Sequence, residues 1–361
     1  MRNFVSCLLF VALLLVACGP SEDEGYDSQS LDISVVDSAK VLNKEKIPLP
    51  HEFPVAQKFY VFHDSILVVV NGQTTESHLI DVYSLSSGEV VASFFRVGHG
   101  ENEMLRVKTY LSGNLLLVYD FQTLRLSCID MDSLLLCADY KPSISKPMGY
   151  GSTFICPFKG HLIMENGYYF KDKTVGIDQG DKRFLDEEEY NTDKIKTYEY
   201  NTLNVAANGR ILVHPNSERV IYASLNRPLY EVYDEDLNLI KVVTGPNILD
   251  IRYSIDDGAE GGKEVTFKSP IPYSYVDYCF DERTACFLYY GISVNYRAGE
   301  NLEDYPGYII ETDWDGDFIK SYNLGGYAIS ISKSTQYDGV FYACMYDEEG
   351  LPQLYKVYEN P

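Results

Sequence analysis

A polar turn followed by an apolar strand recurs six times along the chain: "HDSILVVVNG" (63–72), "SGNLLLVYDF" (112–121), "FKGHLIMENG" (158–167), "NSERVIYASL" (216–225), "DERTACFLYY" (281–290) and "YDGVFYACMY" (337–346). The copies start 46 to 65 residues apart, and a period of that size confines the chain to a repeat architecture. A second unit follows most of them: "HLIDVYSLSSGEVVASF" (78–94), "LRLSCIDMDSLLLCADY" (124–140), "PLYEVYDEDLNLIKVVTG" (228–245) and "GYIIETDWDGDFIKSYNL" (307–324). Each reads as strand, acidic or Ser/Gly turn, strand, the pattern of a β-hairpin. A shortened copy, "QLYKVYE" (353–359), ends the series.

Four strands per unit at roughly 40 to 50 residues are the mark of a β-propeller. The chain is therefore expected to be all-β, a six-bladed propeller over residues 31–361. The 31 Tyr and 17 Phe against one Trp agree, because aromatic and β-branched residues favour strands. The segment "LDISVVDSAKVLNKEKIPL" (31–49) has strand character and no hairpin partner nearby. It is expected to supply the missing outer strand of the last blade, which closes the ring and covers an open sheet edge.

The first 17 residues carry one charge, Arg2, and then an apolar run to Ala17. A membrane-spanning helix needs about 20 apolar residues, so the run fits a signal peptide. Leu15-Val16-Ala17-Cys18 resembles the bacterial lipobox, which implies that Cys18 is acylated, becomes the new amino terminus and holds the chain to a membrane. Residues 18–30 are small, polar and acidic, and read as a flexible tether. Their "SEDE" (21–24) is similar to the export signal of Bacteroidota lipoproteins. The expected location is the outer membrane, with the cell surface favoured over the periplasmic face.

Removing residues 1–17 takes away Arg2 and no acid, leaving 53 acids against 29 bases, or −24. A polyanionic chain has no basic footprint for nucleic acid, so nucleic-acid roles are set aside.

Between the first two repeats lies "RVGHGENEM" (96–104). It resembles the Gly-x-Gly-x-x-Glu segment of TolB-like six-bladed propeller lipoproteins of Bacteroidota, matching at Gly98, Gly100 and Glu103, with His99, Glu101 and Met104 where that family often has Arg, Pro and Phe. The resemblance implies fold and location more than activity. Two readings stay open: a blade-crossing turn in which the glycines take positive φ and Glu103 or Asn102 caps loose amides, or a binding site of Arg96, Gly98, His99, Gly100, Glu101, Asn102 and Glu103. A dinucleotide loop would need a third glycine and a following helix, and has neither.

Asn71, Asp120 and Glu165 or Asn166 end the second strand of three successive repeats. In six-bladed lactonases, to which this placement is similar, carboxylates and amides converge on the axis around calcium, a Lewis acid. Calcium is the one cofactor that these residues suggest. "DWDGDF" (313–318) lacks the Gly and Glu positions of an EF-hand loop and reads as a hairpin tip. The six histidines show no zinc spacing, and no nucleophile elbow is present. Cys128 with Cys137, and Cys279 with Cys286, lie symmetrically about turns; each pair is read either as a cross-strand disulfide or as small buried hydrophobes. The insertions 176–200 and 254–265 are charged and Gly-rich, and read as a solvated excursion and a mobile loop.

Two functions follow as expectations. The first is a lipid-anchored binding module for an outer-membrane protein or a glycan-derived ligand, without a catalytic set. The alternative is a calcium-dependent hydrolase or lactonase with its metal in the central funnel.

Overall fold

The computed structural model describes residues 25–49, 52–53, 56–72, 78–137, 139–145, 155–165, 168–170, 173–177, 184–186, 195–199, 209–249, 252–257, 263–347 and 349–359. The signal segment, Cys18 and the "SEDE" run lie outside them.

The chain begins as a strap. Strand β1 (Asp27–Ser30), a single helical turn α1 (Ser34–Asp37), β2 (Lys40–Val41) and β3 (Asn43–Ile47) precede the first repeat. Strands β4 (Ala56–Phe62), β5 (Ile66–Asn71), β6 (His78–Ser84), β7 (Val90–Val97) and β8 (Glu103–Met104) form one sheet in sequence order. The β4–β5 turn holds His63 and Asp64 at positive φ, 49° and 54°, the backbone of tight hairpins whose twist matches the strands. Every residue of β5, "ILVVVN", is buried. A continuous apolar run of that length marks a strand covered on both faces.

The second sheet contains β9 (Val107–Ser112), β10 (Leu115–Asp120) and β11 (Arg125–Asp130). Here the expected hairpin over 124–140 is corrected. Asp130 accepts the amide of Ser133 at 2.9 Å and starts helix α2 (Met131–Leu136), which buries Met131 and Leu134. A helix cap directly before a buried apolar pair three residues apart, Met131 and Leu134, outweighed the strand character of "SLLLC". The fourth position beside β11 is taken further on, where Ser127 bridges Ile144 and Ser145 donates to the Leu126 carbonyl at 2.7 Å. Cys137 therefore follows a helix and does not stand opposite Cys128.

Next, β12 (Ile155–Phe158) and β13 (His161–Glu165) pair, and β13 takes β16 (Phe184–Asp186) on its other side. In and just before the insertion read from the sequence, β14 (Tyr168–Phe170), β15 (Lys173–Ile177) and β17 (Ile195–Glu199) make a small antiparallel sheet where a solvated excursion was expected. Strands β18 (Gly209–Val213), β19 (Val220–Ser224), β20 (Leu229–Tyr233) and β21 (Leu239–Thr244) form the following sheet. The Gly-rich insertion is a hairpin of β22 (Tyr253–Asp257) and β23 (Lys263–Phe267).

Strands β24 (Ile271–Phe280), β25 (Thr284–Val294), β26 (Tyr308–Asp313) and β27 (Phe318–Asn323) then pair in order. The last repeat supplies β28 (Ala328–Lys333), β29 (Val340–Tyr346) and β30 (Pro352–Tyr358). "DWDGDF" is the β26–β27 turn, with Asp317 donating its amide to Asp313 and Gly316 at φ 81°.

The strap joins three of these sheets. β1 runs parallel to β21, β2 parallel to β27, and β3 antiparallel to β30, with Asn43 opposite Tyr358. The amino-terminal strand thus does complete the last sheet, but only residues 43–47 do so. Residues 27–30, expected within the tether, are already strand.

Facing sheets are glued by apolar clusters: Val68, Ile80, Leu116 and Ile129 between the first two sheets, and Phe59, Val69, Tyr342 and Leu354 between the last and the first. Side chains also satisfy the exposed edges of the innermost strands. Ser330 and Ser332 accept the amides of Phe59 and Val61 at 3.0 and 3.1 Å, linking β28 to β4. Tyr60 donates to the Thr109 carbonyl, Tyr110 accepts the Val213 amide at 2.8 Å, Arg210 donates through Nε to the Val276 carbonyl, and Asp277 accepts the Ile331 amide. The contacts run from β4 through β9, β18 and β24 back to β28, a circuit of five inner strands among the described residues where six blades were expected. Radial sheets with inner strands linked in a closed circuit define a β-propeller.

Candidate functional site

The innermost strands enclose a cavity of 290 Å³ at the axis. Its wall takes Gln57 and Lys58 from β4, Arg106 to Tyr110 at β9, Ile155 and Cys156 from β12, Arg210 and Ile211 from β18, Val276 to Tyr278 from β24, and Ile329 from β28. Apart from those of β24, these residues stand at or next to the start of their strands, so the cavity lies at the end of the ring where the chain enters each inner strand. Both insertions leave from the same end, since Met164 near the end of β13 pairs with Ile155 and the β22–β23 hairpin precedes β24.

Four cationic residues line this wall, Lys58, Arg106, Lys108 and Arg210, against one carboxylate, Asp277. That carboxylate is fully used. It meets the Lys58 ammonium at 2.5 Å and accepts the Ile331 amide at 2.9 Å. Burial opposes the charge of Lys58 and Arg210 acts against it as a like charge, but Asp277 and Tyr60 together outweigh them, and the pKa of Lys58 ends above the ordinary lysine value. The ammonium also lies 4.7 and 4.5 Å from the ring centres of Tyr60 and Tyr278. Nearer the solvent, the Arg106 guanidinium and the Lys108 ammonium sit 5.4 and 5.5 Å from the ring of Phe121.

The loop singled out in the sequence shapes the approach to this mouth. Arg96 and Val97 pair in parallel with Glu103 and Met104, so the intervening residues turn back on themselves. The Glu103 carboxylate accepts the Gly100 amide at 2.7 Å from inside the turn. A Cβ on Gly98 would lie 2.1 Å from that carboxylate and one on Gly100 2.8 Å from it. Neither glycine has a positive φ, so the conformational reason expected for them is corrected: the glycines make room for Glu103. Arg125 then ties the loop down, donating to the carbonyls of Gly100, Glu101 and Glu103 at 2.9, 2.7 and 3.0 Å. Arg96, His99, Glu101 and Asn102 point to solvent. The motif is a capped turn, and it leads directly into Arg106.

Asp120 has a related role. Its buried carboxylate accepts the amides of Leu105 (2.7 Å), Arg106 (3.3 Å) and Gln122 (3.0 Å), and the hydroxyl of Thr123 (2.6 Å). Burial disfavours its ionised form, but these hydrogen bonds outweigh burial and hold the carboxyl below its ordinary pKa. Asn71 donates to the His78 carbonyl at 2.9 Å and to Asp81 at 2.7 Å. Neither Asn71 nor Asp120 lines the cavity. Glu165 ends β13 opposite Phe184, and its side chain, like Asn166, lies outside what the structure describes. Among the described residues no group of three His, Cys, Asp or Glu is placed to hold a metal ion.

Cys279 and Cys286 are directly opposite in the β24–β25 pair, as free thiols. Burial, and then the contact with Cys286, push the Cys279 thiol well up. Cys128 is half-buried and Cys137 exposed.

The sequence reading missed Lys58, Arg106, Lys108, Arg210 and Asp277. For the four cations the signal was a charged residue at or near the first positions of an otherwise apolar inner strand, repeated in "AQKFYVF", "RVKTYL" and "GRILV"; Asp277, in the middle of β24, had no such signal.

The fold and the axial cavity place the chain in the class of β-propellers with a central ligand-sized pocket. No protein-family model matches the chain, and no curated protein matches it. Among solved structures it is similar to a member of the DUF4221 family from Bacteroides vulgatus, at 13% identity and a TM-score of 0.51, over 89% of this chain and 98% of that one. A protein of Bacteroides fragilis named as exported is 11% identical over 93% of this chain and 99% of its own, with a TM-score of 0.45. At 13% identity the first of these likenesses is one of fold. Among the described residues no helix is long and apolar enough to cross a membrane.

Proposed function

We propose that this chain is a lipid-anchored binding module of the outer membrane, a six-bladed propeller held by Cys18 and displayed at the cell surface, that takes an acidic group of an outer-membrane protein or a glycan-derived ligand at the mouth of its axial cavity. The anchor rests on Leu15 to Cys18 and the six-blade reading on the six inner strands that line the cavity, including β12 of the short sheet that carries the insertion. One observation carries the binding site: a chain of net charge −23 concentrates four cations and a single, already paired carboxylate on one cavity wall. A cleft of one sign with low-dielectric walls focuses its field and gathers ions of the other sign.

The test uses the immobilised full-length protein and glycan and peptide fragments of its own envelope, separated by charge. The acidic fragments are retained, and the paired substitution Arg106→Ala and Lys108→Ala lowers their retention at least tenfold. Equal retention of neutral fragments, or retention indifferent to the substitutions, refutes this reading.

A further inference from the structure

One lysine joins the last two sheets of the ring. Lys333 ends β28, and its side chain, only 4% exposed, reaches across to the β24–β25 turn and to β26. Its ammonium lies 2.8 Å from Asp281 Oδ2, 3.0 Å from Glu311 Oε1 and 2.5 Å from Thr284 Oγ1. Glu311 is buried as well, and its other oxygen accepts the Tyr322 hydroxyl at 3.1 Å. Fully buried Phe341 and Cys286 stand opposite Lys333 and Glu311 in their sheets. An amine and two carboxylates are thus held together with little water to solvate their charges.

The two carboxylates are not equivalent. Oδ1 of Asp281 accepts the main-chain amides of Arg283 and Thr284, both at 2.8 Å, while Oδ2 faces the lysine. Two N–H donors on one oxygen, with an amine against the other, are placed to stabilise a tetrahedral adduct at the carbon between them. Asp281 is also the one of the three charged groups that is partly open to solvent, which gives a released water its exit. Glu311 touches the same amine and can carry its protons. Burial opposes the charge of Lys333, but Cys286, Asp281 and Glu311 outweigh burial and keep the group protonated. The amine is therefore freed only when a carboxylate takes its proton, so a reaction here is slow, and an amide product is permanent.

We propose that Lys333 and Asp281 condense into an isopeptide bond that ties the last sheet to its neighbour, with Glu311 as the proton carrier. Nζ attacks Cγ of Asp281, the Cγ–Oδ2 bond breaks, and Oδ2 leaves as water with the two protons that the ammonium gives up through Glu311. One ammonium and one carboxylate become one neutral amide and one water, with no change of oxidation state. Fixed proximity of the reacting groups replaces an external activating agent. The bond braces the sheet that β3 and β30 close, and it depends neither on the anchor nor on the ligand of the axial cavity.

The experiment is tryptic digestion of the denatured full-length protein, purified from membranes, followed by tandem mass analysis. The expected product is a branched peptide joining residues 281 and 333 with the loss of one water, and no cleavage after Lys333. Lys333→Arg keeps a cation at the site but cannot condense, and gives linear peptides only. Glu311→Gln leaves the linear peptides in at least tenfold excess over the branched one. Linear peptides with unmodified Asp281 and Lys333 in the native sequence overturn the proposal, and this readout needs no variant to fold. A branch from Lys333 to Glu311 overturns the assignment to Asp281. Complete condensation in Glu311→Gln, at an unchanged melting temperature, overturns the part given to Glu311.

Discussion

The carboxylate of Asp120 accepts the main-chain amide of Leu105 at 2.7 Å, and that contact fixes where the next residue, Arg106, enters the cavity wall. Asp120 is therefore a positioning residue for the cationic mouth. Asp120→Ala leaves several part-buried amides without this acceptor and lowers stability by about 2 kcal/mol, measured in urea with the fluorescence of Trp314, the sole tryptophan. Asp120→Asn retains more stability and still weakens acidic-ligand binding.

The same carboxylate gives a pH dependence of known sign. Its folded pKa is below the ordinary value of 3.8, so the native state binds the proton less readily than the unfolded chain. Its stabilisation is fully present above the unfolded pKa of about 3.9 and is lost as pH falls through the lower, folded value. Urea midpoints from pH 6 down to pH 3 fall more steeply for the native sequence than for Asp120→Asn. Parallel slopes contradict this.

Gly98 and Glu103 form a coupled pair. Gly98→Ala displaces the flexible Glu103 carboxylate from the Gly100 amide and costs about 1 kcal/mol. In a Glu103→Ala background, where the contested space is empty, the same substitution costs much less, so the two effects do not add. Additive losses show that the glycine serves another purpose.

The strap predicts a sharp boundary for truncation. A chain beginning at Gly25 keeps β1, β2 and β3 and melts with the full-length protein. One beginning at Pro48 exposes the edges of β21, β27 and β30 and loses cooperative unfolding, because three open edges return at once. Calorimetric melting of the two chains decides it.

Cys279 and Cys286 stand opposite each other and are proposed to oxidise to a disulfide in the exported protein. By the chain-entropy relation such a short loop contributes about 2 kcal/mol. Alkylation in denaturant and mass analysis of protein taken from the envelope find these two protected until reduction and Cys137 modified without it. Alkylation of all three before reduction excludes the bond.

The fold was legible because each repeat carries its own apolar run and turn, so β5, β10, β19, β25 and β29 each coincide with a run read from the sequence. Local signals failed where another local signal competed, as at Asp130, whose cap starts a helix inside an apparent hairpin. The function of the Gly98–Glu103 segment was half legible: its turn could be read, but the steric reason for its glycines depends on where the Glu103 side chain folds. The cavity wall was not legible. Lys58, Lys108 and Arg210 are far apart in sequence, and only ring closure brings their charges together. Asp120 was singled out correctly, yet its carboxylate faces the Leu105 and Arg106 amides, a direction that no spacing reveals.

Hydrogen–deuterium exchange of the full-length protein, with and without the acidic envelope fragments that it retains, locates the binding surface most directly. Slowed exchange confined to the loop after Glu103 and to the beginnings of β4, β9 and β18 is the expected result. Protection at the opposite end of the ring, or along the outer sheet edges with the mouth unchanged, contradicts a binding site at the axial cavity.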